Sequence, residues 1–319
     1  MPSLAIHIVT HNSALTLSAC LESALSQQLG AALCVRLLDN ASTDSTCQLA
    51  RQYPLVVIES ATNLGYAAAH NRLLADCTED YVLTLNPDVR LSPDFCAHLL
   101  ATLEANPQAG MAAACLLRCE SLEAPPYAVD GAGLFMRRTR RQGLIADNAP
   151  LDQRPPQTAE VFGVDGAAAF YRRSMLADIQ IDGEVFDEDF FMHKEDVDLC
   201  WRAQLLGWQC LYVPAAQAQH IRTFRPGRRE RAPLWMRRLA VRNRYLLLLK
   251  NDFPAHLLRD IVPFLAYEIG IFAFMLLREP RSLPAYWQAW RLRAKMLSKR
   301  RHISAKRRVT WQALRHWFR

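Results

Sequence analysis

Asn86-Pro87-Asp88 follows directly on the apolar run Tyr81-Val82-Leu83-Thr84-Leu85, so one carboxylate stands where a buried strand runs out into a turn. Pro87 cannot donate to a sheet ladder and ends the strand before Asp88 is drawn into it. Ligands of open α/β sheets bind outside the carboxyl ends of the strands. A hard divalent cation takes oxygen ligands, often one or two carboxylates with substrate phosphates completing its shell. Asn-Pro-Asp is also good turn chemistry anywhere, so the surrounding chain has to decide between turn and site. A second cluster is richer: Asp187, Glu188, Asp189, Glu195, Asp196 and Asp198 fall within twelve positions, broken by Phe186, Phe190, Phe191 and Met192. The dipole at a helix start favours one or two of these acids. It does not explain acids interleaved with large apolar side chains, where burial and like charge raise a carboxyl pKa toward that of a general base working near neutrality.

The elements that must position these groups alternate. Leu4 to Val9, Leu33 to Leu38, Leu55 to Ile58 and Tyr81 to Leu85 read as strands, with helical patterns over Ala14 to Gln27, Thr43 to Gln52 and Leu64 to Ala75 between them. A βαβαβαβ series implies a mostly parallel sheet with helices on both faces. Polar residues gather where the strands end: Thr10-His11-Asn12, Asp39-Asn40, Asn63-Leu64-Gly65 and Asn86-Pro87-Asp88. In a parallel sheet all four groups share one edge. Pro93 opens a further helix to about Leu103, and Met111 to Leu117 is a further strand. The stretch from Glu120 to Pro156 is an irregular insert with clustered arginines (Arg137, Arg138, Arg140, Arg141) that could face an acceptor. Val161 to Tyr171 is expected as one strand through Gly166, Lys194 to Leu206 as a helix, and Leu211 to Val213 as the closing strand. On that helix Asp198 and Arg202 stand four apart, as an internal ion pair would, and Trp201 reads as core.

Charge divides the 319 residues in two: up to Ile221 there are 14 Lys+Arg against 26 Asp+Glu, and from Arg222 onward 24 against 5. An acidic body with a basic tail suggests a catalytic domain beside a segment that meets phosphates of lipid or nucleic acid. Nine cysteines without zinc-ligand spacing read as reduced core residues of a cytoplasmic protein, and the first residues begin a strand rather than an export signal. Arg222, Arg225, Arg228, Arg229 and Arg231 could grip a diphosphate or be a solvated loop. An apolar helix over Pro263 to Leu277, then Trp287, Trp290, Arg291, Arg293 and Lys295, suits a segment lying in the headgroup layer rather than crossing the bilayer.

Taken together, Thr10-His11-Asn12, Asp39 through Asp44, Asn63-Leu64-Gly65-Tyr66 with Asn71, Asn86-Pro87-Asp88, Val164 through Ala168 and the stretch Phe186 through Leu199 resemble the family 2 inverting glycosyltransferases of the GT-A fold. The rhamnosyltransferase-like members that build cell-surface polysaccharides are the most similar branch. The resemblance implies a GT-A domain over residues 1–221, an α/β fold with a mostly parallel sheet flanked by helices, and a helical, basic and hydrophobic extension over 222–319. It implies donor-nucleotide contacts at Thr10, His11, Asn12, Asp39, Asn63, Gly65, Asn71 and Asn86, and sugar or acceptor contacts at Asp165 and Gly166. Metal, as Mg²⁺ or Mn²⁺, is expected at Asp88 with His220. Asp196 is the expected base, supported by Glu195. The family's metal motif is usually Asp-any-Asp, so Asn86 leaves Asp88 as the single carboxylate at this turn.

Several residues keep a second reading. Asp39 also suits a strand-end turn, Asp44 a helix cap, Gly65 a tight turn, and a lone histidine such as His220 is often simply packed. The implied partners are a nucleotide-diphosphate sugar donor and a lipid-linked or oligosaccharide acceptor, with deoxythymidine-diphosphate rhamnose the preferred donor and uridine-diphosphate sugars next. The implied location is the cytoplasmic face of the inner membrane, with peripheral contact through the extension. A nucleic-acid-binding role for the basic tail is disfavoured, because no reading module is visible and the tail is as apolar as it is basic. A nucleotidyltransferase would carry a basic, glycine-rich loop where Thr10-His11-Asn12-Ser13 stands. A processive synthase would carry a Gln-any-any-Arg-Trp signature, which is absent.

Overall fold

The computed structural model describes residues 1–222 and 232–319. Arg225, Arg228, Arg229 and Arg231 therefore lie outside the described residues. The chain begins β1 (Ser3–Thr10), α1 (Ala14–Leu25), β2 (Ala32–Asn40), α2 (Thr46–Ala50), β3 (Val56–Ser60), α3 (Gly65–Ala75) and β4 (Tyr81–Leu85). It continues through β5 (Val89–Leu91), α4 (Phe95–Ala105), β6 (Ala109–Arg118), β7 (Ala128–Gly131), β8 (Leu134–Met136) and β9 (Gln142–Leu144). Next come β10 (Ala159–Val161), β11 (Ala168–Arg172), α5 (Arg173–Ile179), α6 (Glu195–Leu205) and β12 (Gln209–His220). The extension holds α7 (Leu234–Asn251), α8 (Pro254–Arg259), α9 (Ile261–Arg278), α10 (Pro284–Lys306) and α11 (Trp311–Leu314).

One sheet runs β10-β12-β6-β11-β4-β1-β2-β3, with β5 and β7 attached to β12 and β6. Strands β1 to β4 are mutually parallel, so the four polar strand ends do share an edge, whereas β11 runs antiparallel between β4 and β6. Alternation along β6 feeds both faces: Met111, Ala113, Cys115 and Leu117 enter one core, and Ala112, Ala114 and Leu116 the other. Covered on both faces, β4 is buried at all five residues, which is why its sequence is a continuous apolar run. Helix α1 buries Leu17, Cys20, Leu21 and Ala24, one face of a helical repeat, against the second core. All nine cysteines are free thiols.

Three expectations change. The helix expected over Thr43 to Gln52 shrinks to five residues, because Ser42, Thr43 and Asp44 bind the loop after β1 instead of starting a helical turn. The single strand expected from Val161 to Tyr171 splits into β10 and β11, which pair with different neighbours and leave Val164 to Ala167 to cross between them. The irregular insert contains β7 and the β8–β9 hairpin, and the closing strand β12 is twelve residues long, shifting register between Val213 and Gln217.

The basic extension closes over the acidic body and shares its core, to which Leu246, Leu247, Met296, Ile303, Trp317 and Phe318 contribute. Lys250 and Lys299 each reach Asp187 at 2.6 Å, and Lys250 also meets Asp198 at 2.7 Å. The expected Asp198–Arg202 pair forms at 2.9 Å, and Trp201 is fully buried. From the insert, Arg140 reaches Asp252 and Asp260, both at 2.8 Å. Helix α9 is different: 18 residues, long and apolar enough to cross a membrane by length and composition, with Met275 its single buried residue. Val262, Leu265, Ile269, Phe272 and Leu276 form an exposed stripe along it at helical spacing.

Candidate active site

A cavity of about 900 Å³ opens at the sheet edge where β4 ends, and Asn86, Asp88, Asp165, Glu195, Asp196 and His220 line it. Antiparallel pairing of β5 with β12 sets His220 opposite Val89, beside Asp88. The His220 Nε2 stands 3.7 Å from Asp88 Oδ1, an oxygen with no hydrogen-bond partner among the described residues. On its other side His220 Nδ1 lies 2.7 Å from Asp130 of β7, which Arg118 and Arg222 also bind at 2.9 and 2.8 Å. A carboxylate on one ring nitrogen fixes the ring and leaves the other for a cation, the arrangement that usually backs a metal-binding histidine. Burial raises the Asp88 carboxyl. Burial also works against the His220 imidazolium, but the Asp130 hydrogen bond and the Asp88 and Asp130 charges outweigh it and raise that pKa.

Across the cavity the first turn of α6 presents Glu195 and Asp196. The Asp196 Oδ2 accepts from Gly166 N at 3.1 Å, and Oδ1 from Val197 N at 2.7 Å. Burial first, and then the charge of Asp165, push Asp196 up to about 6. Glu195 is raised well above the usual carboxyl range by burial and by Asp196, and its Oε2 has no partner. Phe191, His193 and Lys194, just before α6, all have left-handed backbones, with φ of 62°, 69° and 73°. Each such conformation costs about 1–3 kcal/mol and persists only where its surroundings impose it. Here Asn243 of α7 imposes it. Its buried amide nitrogen donates to the carbonyls of Phe190, Met192 and His193 at 2.9, 2.9 and 2.7 Å.

Other expected residues sit at the same edge but outside the cavity wall. Asp39 Oδ1 accepts from Thr10 Oγ1 at 3.1 Å and Ser42 Oγ at 2.6 Å, and its Oδ2 from Ser42 N at 3.1 Å. Asn12 accepts from Thr43 N, His11 Nδ1 lies 2.9 Å from the Asn40 carbonyl, and Asn63 accepts from Asn40 and from Gly65 N. Asp44 is a cap, accepting from Thr46 N and Ala14 N.

Gly65 and Asn71 do different work from that expected. At φ +78° a Cβ on Gly65 would stand 2.6 Å from the Phe191 carbonyl oxygen, so the close approach is to the loop before α6. The Asn71 carboxamide brackets Phe186, donating to its carbonyl at 2.7 Å and accepting from its N–H at 2.9 Å. Arg222, expected to meet a diphosphate, binds Asp130 and Asp165. Asp130 and Asn243 escaped sequence reasoning. One is a lone acid in an irregular insert and the other an ordinary residue of a basic helix, and neither carries a local signal.

A polar edge at the ends of parallel strands, with a histidine-backed carboxylate facing a buried, raised carboxyl pair, suits the class of GT-A-type glycosyltransferases. The Glycosyl transferase family 2 model matches residues 5–179, and the chain belongs to that family. It is 34% identical over 219 residues to the N-acetylglucosaminyl-diphospho-decaprenol L-rhamnosyltransferase of Mycobacterium tuberculosis (strain CDC 1551 / Oshkosh), covering 61% of this chain and 68% of that one. To Rhamnosyltransferase WbbL of Escherichia coli (strain K12) it is 30% identical over 150 residues, covering 44% of this chain and 52% of that one. The structure of GalNAc-T7 with UDP, GalNAc and Mn²⁺ superposes with a TM-score of 0.61 at 13% identity. That match covers 78% of this chain and 48% of the other, and it shows a shared fold.

Proposed function

We propose that this chain moves a single sugar, with inversion, from a nucleoside-diphosphate donor to a lipid-diphosphate-linked acceptor, with rhamnose from deoxythymidine-diphosphate rhamnose as the preferred donor. One observation carries the reading: Asp196, raised to about 6, shares a cavity with the Asp88–His220 pair. In an inverting transfer a base removes the acceptor hydroxyl proton as that oxygen attacks the anomeric carbon from the face opposite the diphosphate. Asp196 is that base. Glu195, its carboxyl raised by burial and by Asp196, supports the base or binds the acceptor. The donor nucleotide lies along the strand-end edge from Asp39 to Asn86, with Thr10, His11 and Asn12 shaping it. Asp165 and Gly166 flank the transferred sugar.

The unpartnered Asp88 oxygen and the free side of His220 fit a divalent cation such as Mg²⁺ or Mn²⁺, and Asp88 and His220 would hold it. Bound there, it supplies charge compensation to the departing diphosphate. The mycobacterial relative, an N-acetylglucosaminyl-diphospho-decaprenol L-rhamnosyltransferase, and the Mn²⁺ in the GalNAc-T7 structure support these choices.

The exposed stripe of α9, with Trp287 and Trp290 stacked at 4.7 Å and Arg293 over Trp290 at 3.7 Å, supports peripheral attachment to the cytoplasmic face of the inner membrane. Purified protein given Mg²⁺, deoxythymidine-diphosphate rhamnose or a uridine-diphosphate sugar, and a lipid-diphosphate N-acetylglucosamine tests the chemistry. Transfer giving the inverted anomer is expected, and a retained anomer refutes the mechanism. Flotation with anionic vesicles tests attachment. Binding to a DNA or RNA duplex in preference to vesicles at matched salt would replace the membrane reading.

A further inference from the structure

We infer that the groove between α7 and α9 seats the apolar chain of a polyprenyl diphosphate acceptor, with Arg141 and Lys194 at its inner end holding the diphosphate. This rests on the lipid-linked acceptor proposed above and adds where that lipid lies. The groove measures about 640 Å³. Ala240 and Val241 of α7 form one wall, and Ala266, Gly270, Ile271 and Phe274 of α9 the other.

Continuity with the catalytic cavity is the main argument. Arg141, Gln142, Lys194 and Ala240 line both spaces. Moving inward, the environments run from apolar walls, through a basic junction, to the carboxyl pair of α6. An acceptor built as an apolar chain, a diphosphate and a sugar presents its parts in that order, with the sugar hydroxyl arriving at Asp196.

Charge at the junction favours the same occupant. Lys194 Nζ donates to Gln142 Oε1 at 2.8 Å; burial, and then the charge of Arg244, lowers this amine to about 7, and a diphosphate beside it would draw it to the charged form. Arg141 enters no ion pair among the described residues, and Arg137, on the far side of the β8–β9 turn, lines the catalytic cavity. Arg244 also borders the groove, but Glu268 at 2.9 Å and the carbonyls of Thr139 and Arg140 engage its guanidinium, which lies over the Tyr267 ring. Arg244 therefore belongs to the wall. A guanidinium and an ammonium side by side suit a diphosphate better than a neutral glycan. The small residues Ala266 and Gly270 keep the wall open, and a Cβ at Gly270 meets nothing within 4 Å. Leu265 and Ile269 of the same helix face outward and exposed, so a chain leaving a bilayer at α9 has the groove beside it.

The test plugs the groove without touching the carboxylates. Calorimetric titration of the full chain with farnesyl diphosphate and with inorganic diphosphate is expected to show at least tenfold tighter binding of the farnesyl compound. Gly270→Trp should remove that preference while leaving inorganic diphosphate unchanged, and Arg141→Ala should weaken both ligands several-fold. Ala266→Trp, from the same wall, provides the plug if Gly270→Trp fails to fold. Equal binding of the two diphosphates by the wild type, or a preference that survives a folded plug variant, overturns the inference. Sugar transfer is scored separately. Loss of the farnesyl preference on plugging, in a protein that transfers no sugar to a lipid diphosphate, would uphold the groove and remove the proposed function. Efficient transfer to a long-chain acceptor that the plug leaves unchanged would do the reverse.

Discussion

Replacing Asn243 with alanine should disable the enzyme from a helix that contributes no acid or base. Its amide nitrogen carries two hydrogens for three carbonyls, those of Phe190, Met192 and His193. Two hydrogen bonds contribute about 0.5–1.5 kcal/mol each, and a buried carbonyl left without a partner costs about 1–3 kcal/mol. The loss is therefore about 2–6 kcal/mol. It falls on a segment already holding three non-glycine residues in the left-handed region. The segment relaxes, and the first turn of α6, with Glu195 and Asp196, is no longer pre-set. If half of the loss must be recovered at the transition state, about 1–3 kcal/mol, kcat falls roughly 5- to 160-fold, at a tenfold change per 1.36 kcal/mol. The assay is steady-state transfer of labelled sugar, with donor affinity measured in parallel. Donor affinity should change less than kcat, because α7 makes no hydrogen bond to the strand-end residues among the described residues and Gly65 meets the loosened loop through Phe191. A kcat within about twofold of wild type in folded Asn243→Ala would refute the argument that the extension holds the catalytic loop.

Four further outcomes are expected. With Asp196 at about 6, kcat/KM should rise about tenfold per pH unit below that value and level off above it, and Asp196→Asn should keep donor binding while losing about 10²–10⁴-fold in transfer, measured from pH 5 to 8. The same raised carboxyl means that the folded state binds more protons than the unfolded chain between pH 3.8 and about 6, so this group's contribution to stability falls as pH rises through that window. Asp196→Asn should remove that slope from thermal unfolding. Asp88→Ala should weaken both Mn²⁺ and donor binding in calorimetry, and chelation of divalent ions should reproduce the loss of activity in the wild type but add little in the variant. Lys250→Met leaves the buried Asp187 and Asp198 short of a partner and should cost about 3–5 kcal/mol in chemical denaturation.

The sequence by itself determined the alternation of strand and helix, the parallel half of the sheet and the edge where chemistry gathers. Those features follow from local rules: apolar runs bounded by turn residues, with crossovers of one hand. Asp88, Asp196, Glu195 and His220 were legible because a recurrent order of motifs carried them, and the structure brings all four to one cavity. Gly65 and Asn71 were chosen for the same reason, yet their side of the motif turns inward onto Phe191 and Phe186, because which face of a turn meets the protein is set by what packs there.

Only the tertiary structure decided the place of the extension. Its charge suggested a segment that meets phosphates of lipid or nucleic acid, and the fold lays two of its lysines, on α7 and α10, onto the acids before and within α6 instead. Pairing two opposite charges at burial requires partners that lie 63 and 112 positions apart in the chain. Asp130 behind His220 and Asn243 beneath the α6 loop are of the same kind. Each acts through a contact that forms only when distant segments close together, and no local pattern in the chain records such a contact.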